Sequence, residues 1–178
     1  VSERIALVDA DPEWSSLFLR ERERILACFQ QAPELIEHMG STAVPGLAAK
    51  PIIDIIALVE NLDAGRMAVP ALVSAGYVHR DDFPMPDRIF LMKLDPVSGA
   101  RTHQLHIHAN EVEVARHLLF RDRLRRDPEC RAAYSALKQD LAVRFAEDRQ
   151  AYSQHKTAFI DAVVAQDGGP ARAQSWNP

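Results

Sequence analysis

The sequence predicts a mixed α/β (α+β) domain, a β-sheet with helices packed on it and a helical C-terminal half. Three observations predict this. Short apolar runs of strand length, Ile52 to Val59 above all, alternate with helical periodicities up to about residue 110. The turn residues Asp95-Pro96-Val97-Ser98-Gly99 separate two strand-like runs and make them a hairpin. From Glu111 onward only helical spacing remains. The resulting order is β-α-β-turn-β-α-β-β and then two or three helices, which implies a mixed sheet.

Ile5 to Val8 reads as a short edge strand. Asp9-Ala10-Asp11-Pro12 then opens a helix, because Asp accepts from free N–H groups and Pro has none to lose. Trp14, Phe18, Ile25 and Phe29 recur at helical spacing, which predicts an amphipathic helix over 12–31, closed by Pro33. Its middle, Arg20-Glu21-Arg22-Glu23-Arg24, reads as a solvated face rather than a binding surface.

Leu35 to Met39 is a strand that runs into the Gly40-Ser41-Thr42 turn, and Pro45 to Ala49 is expected to form one helical turn. Ile52 to Val59 is apolar on both faces and belongs at the centre of the sheet. Asn61-Leu62-Asp63 caps a helix that reaches about Ser74 and closes at Gly76, with Pro70 expected to kink or shorten it. Residues 77–87 form a loop with a short strand at Tyr77 to His79. Ile89 to Leu94 and His103 to Ala109 are the hairpin strands. Val112, Ala115 and Leu119 form one helical stripe, and Asp127-Pro128 ends that helix and starts the next. Tyr134, Leu137, Leu141 and Phe145 form a second stripe, and a last helix from Asp148 turns Tyr152, Phe159 and Val163 inward. Residues 1–166 thus make one domain, and 167–178 read as a flexible tail.

At 178 residues the chain can bury a real core, and 47% apolar with 26% charged residues is ordinary for a globular protein. A net charge of −4 and a pI of about 6.0 argue against general nucleic-acid binding. Cys28 and Cys130 lack any CxxC spacing and read as reduced thiols. No apolar run approaches the ~20 residues of a membrane span, and no basic-then-apolar segment stands at the start, so the expected location is the cytoplasm.

The chemistry concentrates between Glu37 and Ile55. Gly40 lets backbone approach a phosphate, and Ser41 adds a hydroxyl and an N–H. A helical turn over 45–49 would aim further N–H groups there. Asp54, in the next strand, is placed to hold a divalent cation such as Mg²⁺ against that phosphate or to orient a substrate hydroxyl. This arrangement resembles the nucleotidyltransferase fold, in which Gly-Ser, a spacer and Asp-x-Asp or Asp-x-Glu follow one another. Two-metal phosphoryl transfer needs at least two converging carboxylates. Strand alternation puts the partner of Asp54 at position 56, which is Ile56. The strand where a third carboxylate is expected carries His106 and His108.

The run His38-Met39-Gly40-Ser41-Thr42-Ala43-Val44-Pro45-Gly46-Leu47-Ala48-Ala49-Lys50-Pro51-Ile52-Ile53-Asp54 resembles the signature of the GrpB family. The C-terminal half is similar to that family too, in the His103–His108 segment, Phe120-Arg121-Asp122-Arg123-Leu124-Arg125, Tyr134, Leu137-Lys138, Asp148-Arg149, Tyr152 and Lys156. The resemblance covers the chain to about residue 166. It implies a nucleotidyltransferase-like fold in a small, mostly bacterial protein. It also points to a domain found fused to dephospho-coenzyme A kinase, where it is thought to help that enzyme fold.

Gly40, Ser41 and Thr42 are the candidate phosphate-binding turn, and Asp54 is the candidate catalytic carboxylate. His106 and His108 share one strand face; they are metal ligands (Mg or Zn, with Asp54), anion ligands, or histidines satisfied by local hydrogen bonds. Lys50 is either a point charge for a phosphate or a surface lysine. Arg88 precedes the strand that flanks His106. Arg121 is an anion clamp or one half of a structural pair with Asp122. Arg149 and Lys156 line the cleft or sit on a solvated face. Two functions fit. One is binding of a nucleotide or other phosphate-containing small molecule without standard two-metal catalysis; if active, it is a nucleotidyltransferase-type enzyme. The other is a non-catalytic helper that binds a partner enzyme such as dephospho-coenzyme A kinase.

Overall fold

A computed structural model describes residues 4–79 and 88–172. The expected loop positions Arg80 to Asp87 and the tail beyond Arg172 lie outside the described residues. The sheet has five strands, β1 (Leu35–Met39), β2 (Ile53–Leu58), β3 (Tyr77–His79), β4 (Arg88–Leu94) and β5 (Arg101–His108), in the order β1-β2-β5-β4-β3. β2 and β5 are parallel and the other three pairings are antiparallel, so the sheet is mixed and β4–β5 is the hairpin that the turn residues predict. β5 is the central strand and β2 lies beside it, with Ile53, Ile55, Ile56 and Ala57 of β2 buried on both faces as the apolar run predicts.

Alternation sorts the strand residues cleanly. Ile53, Ile55 and Ala57 of β2 and Leu105 and Ile107 of β5 face α1 (Trp14–Leu26) and α2 (Leu62–Ser74), where Trp14, Phe18, Ile25, Ala68 and Leu72 close the main core. The opposite face carries Asp54, Ile56 and Leu58 beside Gln104, His106 and His108. Ile56, Leu58 and Met39 pack under Val114 and Leu118 of α3 (Glu111–Arg126). The rest of that face looks across a cavity to α4 (Pro128–Arg144) and α5 (Arg149–His155), and α6 (Thr157–Gln166) packs outside them on α3 and α5. Asn61, Asn110, Asp127 and Asp148 each accept backbone N–H bonds at the start of α2, α3, α4 and α5, which explains why the helices begin where they do.

Several expectations need correction. Ile5 to Val8 is not a sheet strand: it makes a single bridge, Val8 with Ala49, beyond the turn that follows β1. The helical turn lies at Ser41–Ala43, in 3-10 form, rather than at 45–49, because Val44 is extended and Gly46 sits at φ 75°. Three residues carry no appreciable macrodipole, so that source of anion attraction is absent. Pro70 does not shorten α2, which runs unbroken to Ser74. Glu21 is not solvated: it is buried and accepts from Lys93 Nζ at 2.8 Å. The expected tail is docked at its start, where Arg123 and Arg126 pair with Asp167, and Arg116 pairs with Asp161 and the Pro170 carbonyl. Cys28 and Cys130 are both free thiols. Among the described residues no helix is long and apolar enough to cross a membrane.

Candidate functional site

The site begins with the turn after β1. Gly40 has φ 72° and ψ −168°, a region essentially confined to glycine. A Cβ at this position would lie 2.6 Å from Asp54 Oδ2, so glycine is also what lets the turn close over the carboxylate. The turn is braced from two sides. Thr42 Oγ1 donates to the Ile52 carbonyl at 3.1 Å, and its lone pair accepts from His38 Nε2 at 3.0 Å. His38 stacks on Phe18, and burial, with repulsion from Arg125 and Arg121, lowers its pKa to about 4; the ring is a neutral structural donor. From α3, Arg121 bonds Glu37 at 2.7 Å, the His38 carbonyl at 2.9 Å and Asp122 at 2.8 Å, while Arg125 donates to the Ala43 carbonyl at 2.9 Å. Arg121 therefore holds the back of the turn and is no anion clamp.

In front of the turn lies a cavity of about 510 Å³, bounded by the open face of the sheet and by α4 and α5. Ser41, Thr42, Lys50, Asp54, Arg88 and His106 all line it, so six of the sequence candidates share one cleft. His108 does not line it. It is 1% exposed, lies beneath α3 with His117 at 6.2 Å between ring centroids, and has no hydrogen-bond partner at either ring nitrogen among the described residues. His106 packs on Phe90 at 4.9 Å. Burial, then repulsion from Arg88, holds its pKa well below the usual histidine range, so it is neutral. The metal set of Asp54, His106 and His108 is therefore not assembled. Among the described residues no group of three His, Cys, Asp or Glu side chains converges on a point.

The β2–β5 register explains why. Asp54 pairs with Gln104, while His106 pairs with Ile56 and His108 with Leu58. The neighbour of the carboxylate is thus an amide. In the orientation its neighbours dictate, Gln104 donates to Asp54 Oδ1 at 3.0 Å and accepts from Arg149 at 2.7 Å. Sequence reading missed Gln104, although it shares parity with His106.

It also undervalued the helices. Lys138, Arg149, Tyr152 and Lys156 line the cavity and are no solvated face. Lys138 is 2% exposed and donates to Ser41 Oγ at 3.1 Å and to the Ala48 carbonyl. Lys50 and Lys156 stand over Tyr152, their Nζ atoms 5.3 and 4.4 Å from the ring centroid. A repeated Tyr-x-x-x-Lys spacing, Tyr134/Lys138 and Tyr152/Lys156, was the signal available.

The electrostatics follow from crowding cations in a half-buried space. Burial, then repulsion from Arg149 and Lys156, brings Lys50 down to about 7, only partly offset by Asp54. Burial and Lys156 bring Lys138 down to about 7. Burial brings Lys156 down to about 8 against the attraction of Asp54. The Asp54 carboxyl is pushed up by burial, against the pull of Lys50, Lys156 and Arg149. The arrangement can hold an anion and orient one hydroxyl, and it offers few oxygen ligands to a metal.

Comparison with known proteins agrees with the fold. The family pattern described as GrpB protein matches residues 4–166. A UPF0157 protein of Pseudomonas aeruginosa is 40% identical over 178 residues, covering 99% of this chain and 71% of that protein. A dephospho-CoA kinase of Mycolicibacterium paratuberculosis is 30% identical over 197 residues, covering 98% of this chain but 48% of the kinase. The crystal structure of the conserved protein GrpB from Enterococcus faecalis superposes with a TM-score of 0.80 at 32% identity, covering 90% of this chain and 96% of that one. The Cid1 poly(U) polymerase, in its Mg 3'-dATP complex, gives a TM-score of 0.56 at 12% identity over 78% of this chain and 44% of that one, a likeness of fold alone.

Proposed function

Since the chain belongs to the GrpB family and has a nucleotidyltransferase-like fold, we propose that it binds a nucleotide or other phosphate-containing small molecule in the cleft between the Gly40–Thr42 turn and α4–α5. One observation carries the reading. Lys138 bridges Ser41 to the helical half, and Lys50, Arg149 and Lys156 surround the same opening, where Asp54 is the one carboxylate among the described lining residues. Ser41 supplies the hydroxyl, Gly40 lets the turn close over Asp54 from outside the lining, and Asp54 orients a ligand hydroxyl. Standard two-metal catalysis is not supported, because Ile56 and Gln104 occupy the positions where further carboxylates belong. Thermal shift against ATP, CTP, GTP and coenzyme A precursors, each with and without Mg²⁺, Mn²⁺ and Zn²⁺, tests this. A flat response throughout, unchanged by Asp54→Ala, would sink it.

A second reading is a non-catalytic helper of a partner enzyme such as dephospho-coenzyme A kinase. It is supported by the alignment of nearly all of this chain with half of the mycobacterial kinase. Co-expression of the chain with a free-standing dephospho-coenzyme A kinase tests it, and an unchanged soluble yield of the kinase speaks against it.

A further inference from the structure

We propose that this cavity takes a di- or triphosphate group as the free anion, with protein cations standing where a nucleotidyl-transfer site holds divalent metal. The inference rests on the reading of the cavity as a phosphate site.

The donor set does not fit a magnesium ion. Magnesium prefers near-octahedral oxygen ligation, usually from one or two carboxylates plus substrate phosphates and water. Asp54 is the only acidic side chain on the described cavity lining. On its own strand the next residue of that face is Ile56, fully buried against Met39 and Val114. On the adjacent strand its register partner is Gln104, which turns an N–H donor towards Asp54 where a metal ligand would present a lone pair. A divalent ion placed here would also face Lys50, Lys156 and Arg149, the three cations that act on Asp54.

The same cations fit a polyanion. The ammonium groups of Lys50 and Lys156 flank the Tyr152 ring and make no hydrogen bond or ion pair among the described residues, so their charge is uncompensated at contact distance. Lys138 spends two of its three N–H donors on Ser41 and the Ala48 carbonyl, which fixes the ammonium beside the turn and leaves one donor. The described lining carries six cationic side chains, Lys50, Arg88, Arg101, Lys138, Arg149 and Lys156, and one carboxylate. A phosphate monoester carries about −1.5 to −2 at pH 7, so it balances this excess less well than a ligand with a second or third phosphoryl group. The cavity volume, about 510 Å³, lies within the roughly 300–1,000 Å³ typical of small-molecule sites. Magnesium bound to a free polyphosphate removes charge that the lysines would otherwise meet, so it competes with the protein.

Isothermal titration of the full chain with inorganic phosphate, pyrophosphate and tripolyphosphate, in EDTA and in excess magnesium chloride, tests the proposal. The expected result is binding in EDTA, an affinity that rises along the series, and equal or weaker binding in magnesium. Lys156→Gln and, separately, Lys50→Gln lower pyrophosphate affinity about tenfold or more, the loss of one charge-assisted contact. Two lysines on different elements guard against one variant failing to fold, which circular dichroism would reveal. Phosphate binding that requires magnesium overturns the inference and leaves the proposed function standing. No binding of any phosphate or nucleotide under any condition overturns both. Undiminished affinity in both folded lysine variants overturns the assignment to these cations.

Discussion

Gly40→Ala is the sharpest perturbation of the turn, and its cost can be worked from two separate contributions. Gly40 occupies φ 72° and ψ −168°, and holding a residue with a side chain there costs about 1–3 kcal/mol. The added Cβ would meet Asp54 Oδ2 at 2.6 Å and Asp54 Cγ at 3.2 Å, where ordinary contact begins at 3.4 Å. The carboxylate cannot retreat freely, because Gln104 holds its other oxygen at 3.0 Å. Giving up that charge-assisted bond adds about 1.5–3 kcal/mol. The expected total is about 3–5 kcal/mol, near the upper end for a single substitution. Gly46→Ala is the matched control: its φ is 75°, but nothing lies within 4 Å of an added Cβ. It should cost only the backbone share, about 1–2 kcal/mol. Urea unfolding of both variants, read at constant slope, measures the difference. Combining Gly40→Ala with Asp54→Ala removes the collision, so the double variant should lose about 1–3 kcal/mol less than the sum of the singles. Equal losses for the two glycine variants, or strict additivity in the cycle, would refute the reasoning that glycine is required by the carboxylate.

Three further outcomes are expected. Arg121→Ala should destabilise the fold by about 1.5–3 kcal/mol, since it removes a buried charge-assisted bond to the His38 carbonyl and a half-buried one to Glu37, and should lower the pyrophosphate affinity of the folded fraction by less than Lys156→Gln does; an equal or larger affinity loss would contradict the bracing role. Lys93→Met leaves the Glu21 carboxylate, 2% exposed, with Arg24 at 3.2 Å but without the ammonium now at 2.8 Å, and should cost about 1.5–3 kcal/mol at pH 7 by denaturant unfolding. The cavity lysines predict opposite pH trends for stability and binding. Lys50 and Lys138 titrate at about 7 and Lys156 at about 8 in the fold against 10.5 when unfolded. Between those limits the unfolded chain holds more protons, so their contribution to ligand-free stability improves as pH rises from 7 to 9. Pyrophosphate binding needs the protonated amines and should weaken over the same interval. Calorimetric affinities that stay flat from pH 7 to 9, with no change in slope for Lys138→Met, would contradict the assignment.

Much of the fold was legible because its signals are local. The apolar run at Ile52–Val59 needs no partner to be read as a central strand, and the Asp95–Gly99 turn joins β4 to β5 through its own chemistry. The Gly40-Ser41 turn and Asp54 were legible for the same reason. The misplaced helical turn at 45–49 failed because Gly46 at positive φ and the pairing of Ala49 with Val8 outweigh local helix preference. His108 was misassigned because its parity fits the cleft but its height on the strand does not. It pairs with Leu58, two alternations beyond Asp54, under α3.

By itself, then, the sequence determined a mixed sheet, a glycine-gated turn and one carboxylate without its expected partner at position 56. Tertiary structure alone decided what surrounds that carboxylate. The register of β2 on β5 put Gln104 beside Asp54, and the packing of Val44 and Leu47 against Phe120, Leu124 and Tyr134 sets the helical half over the turn. Lys138 reaches Ser41 across 97 residues of chain. No local pattern encodes that approach, because it depends on how two hydrophobic surfaces distant in sequence come to share one interior.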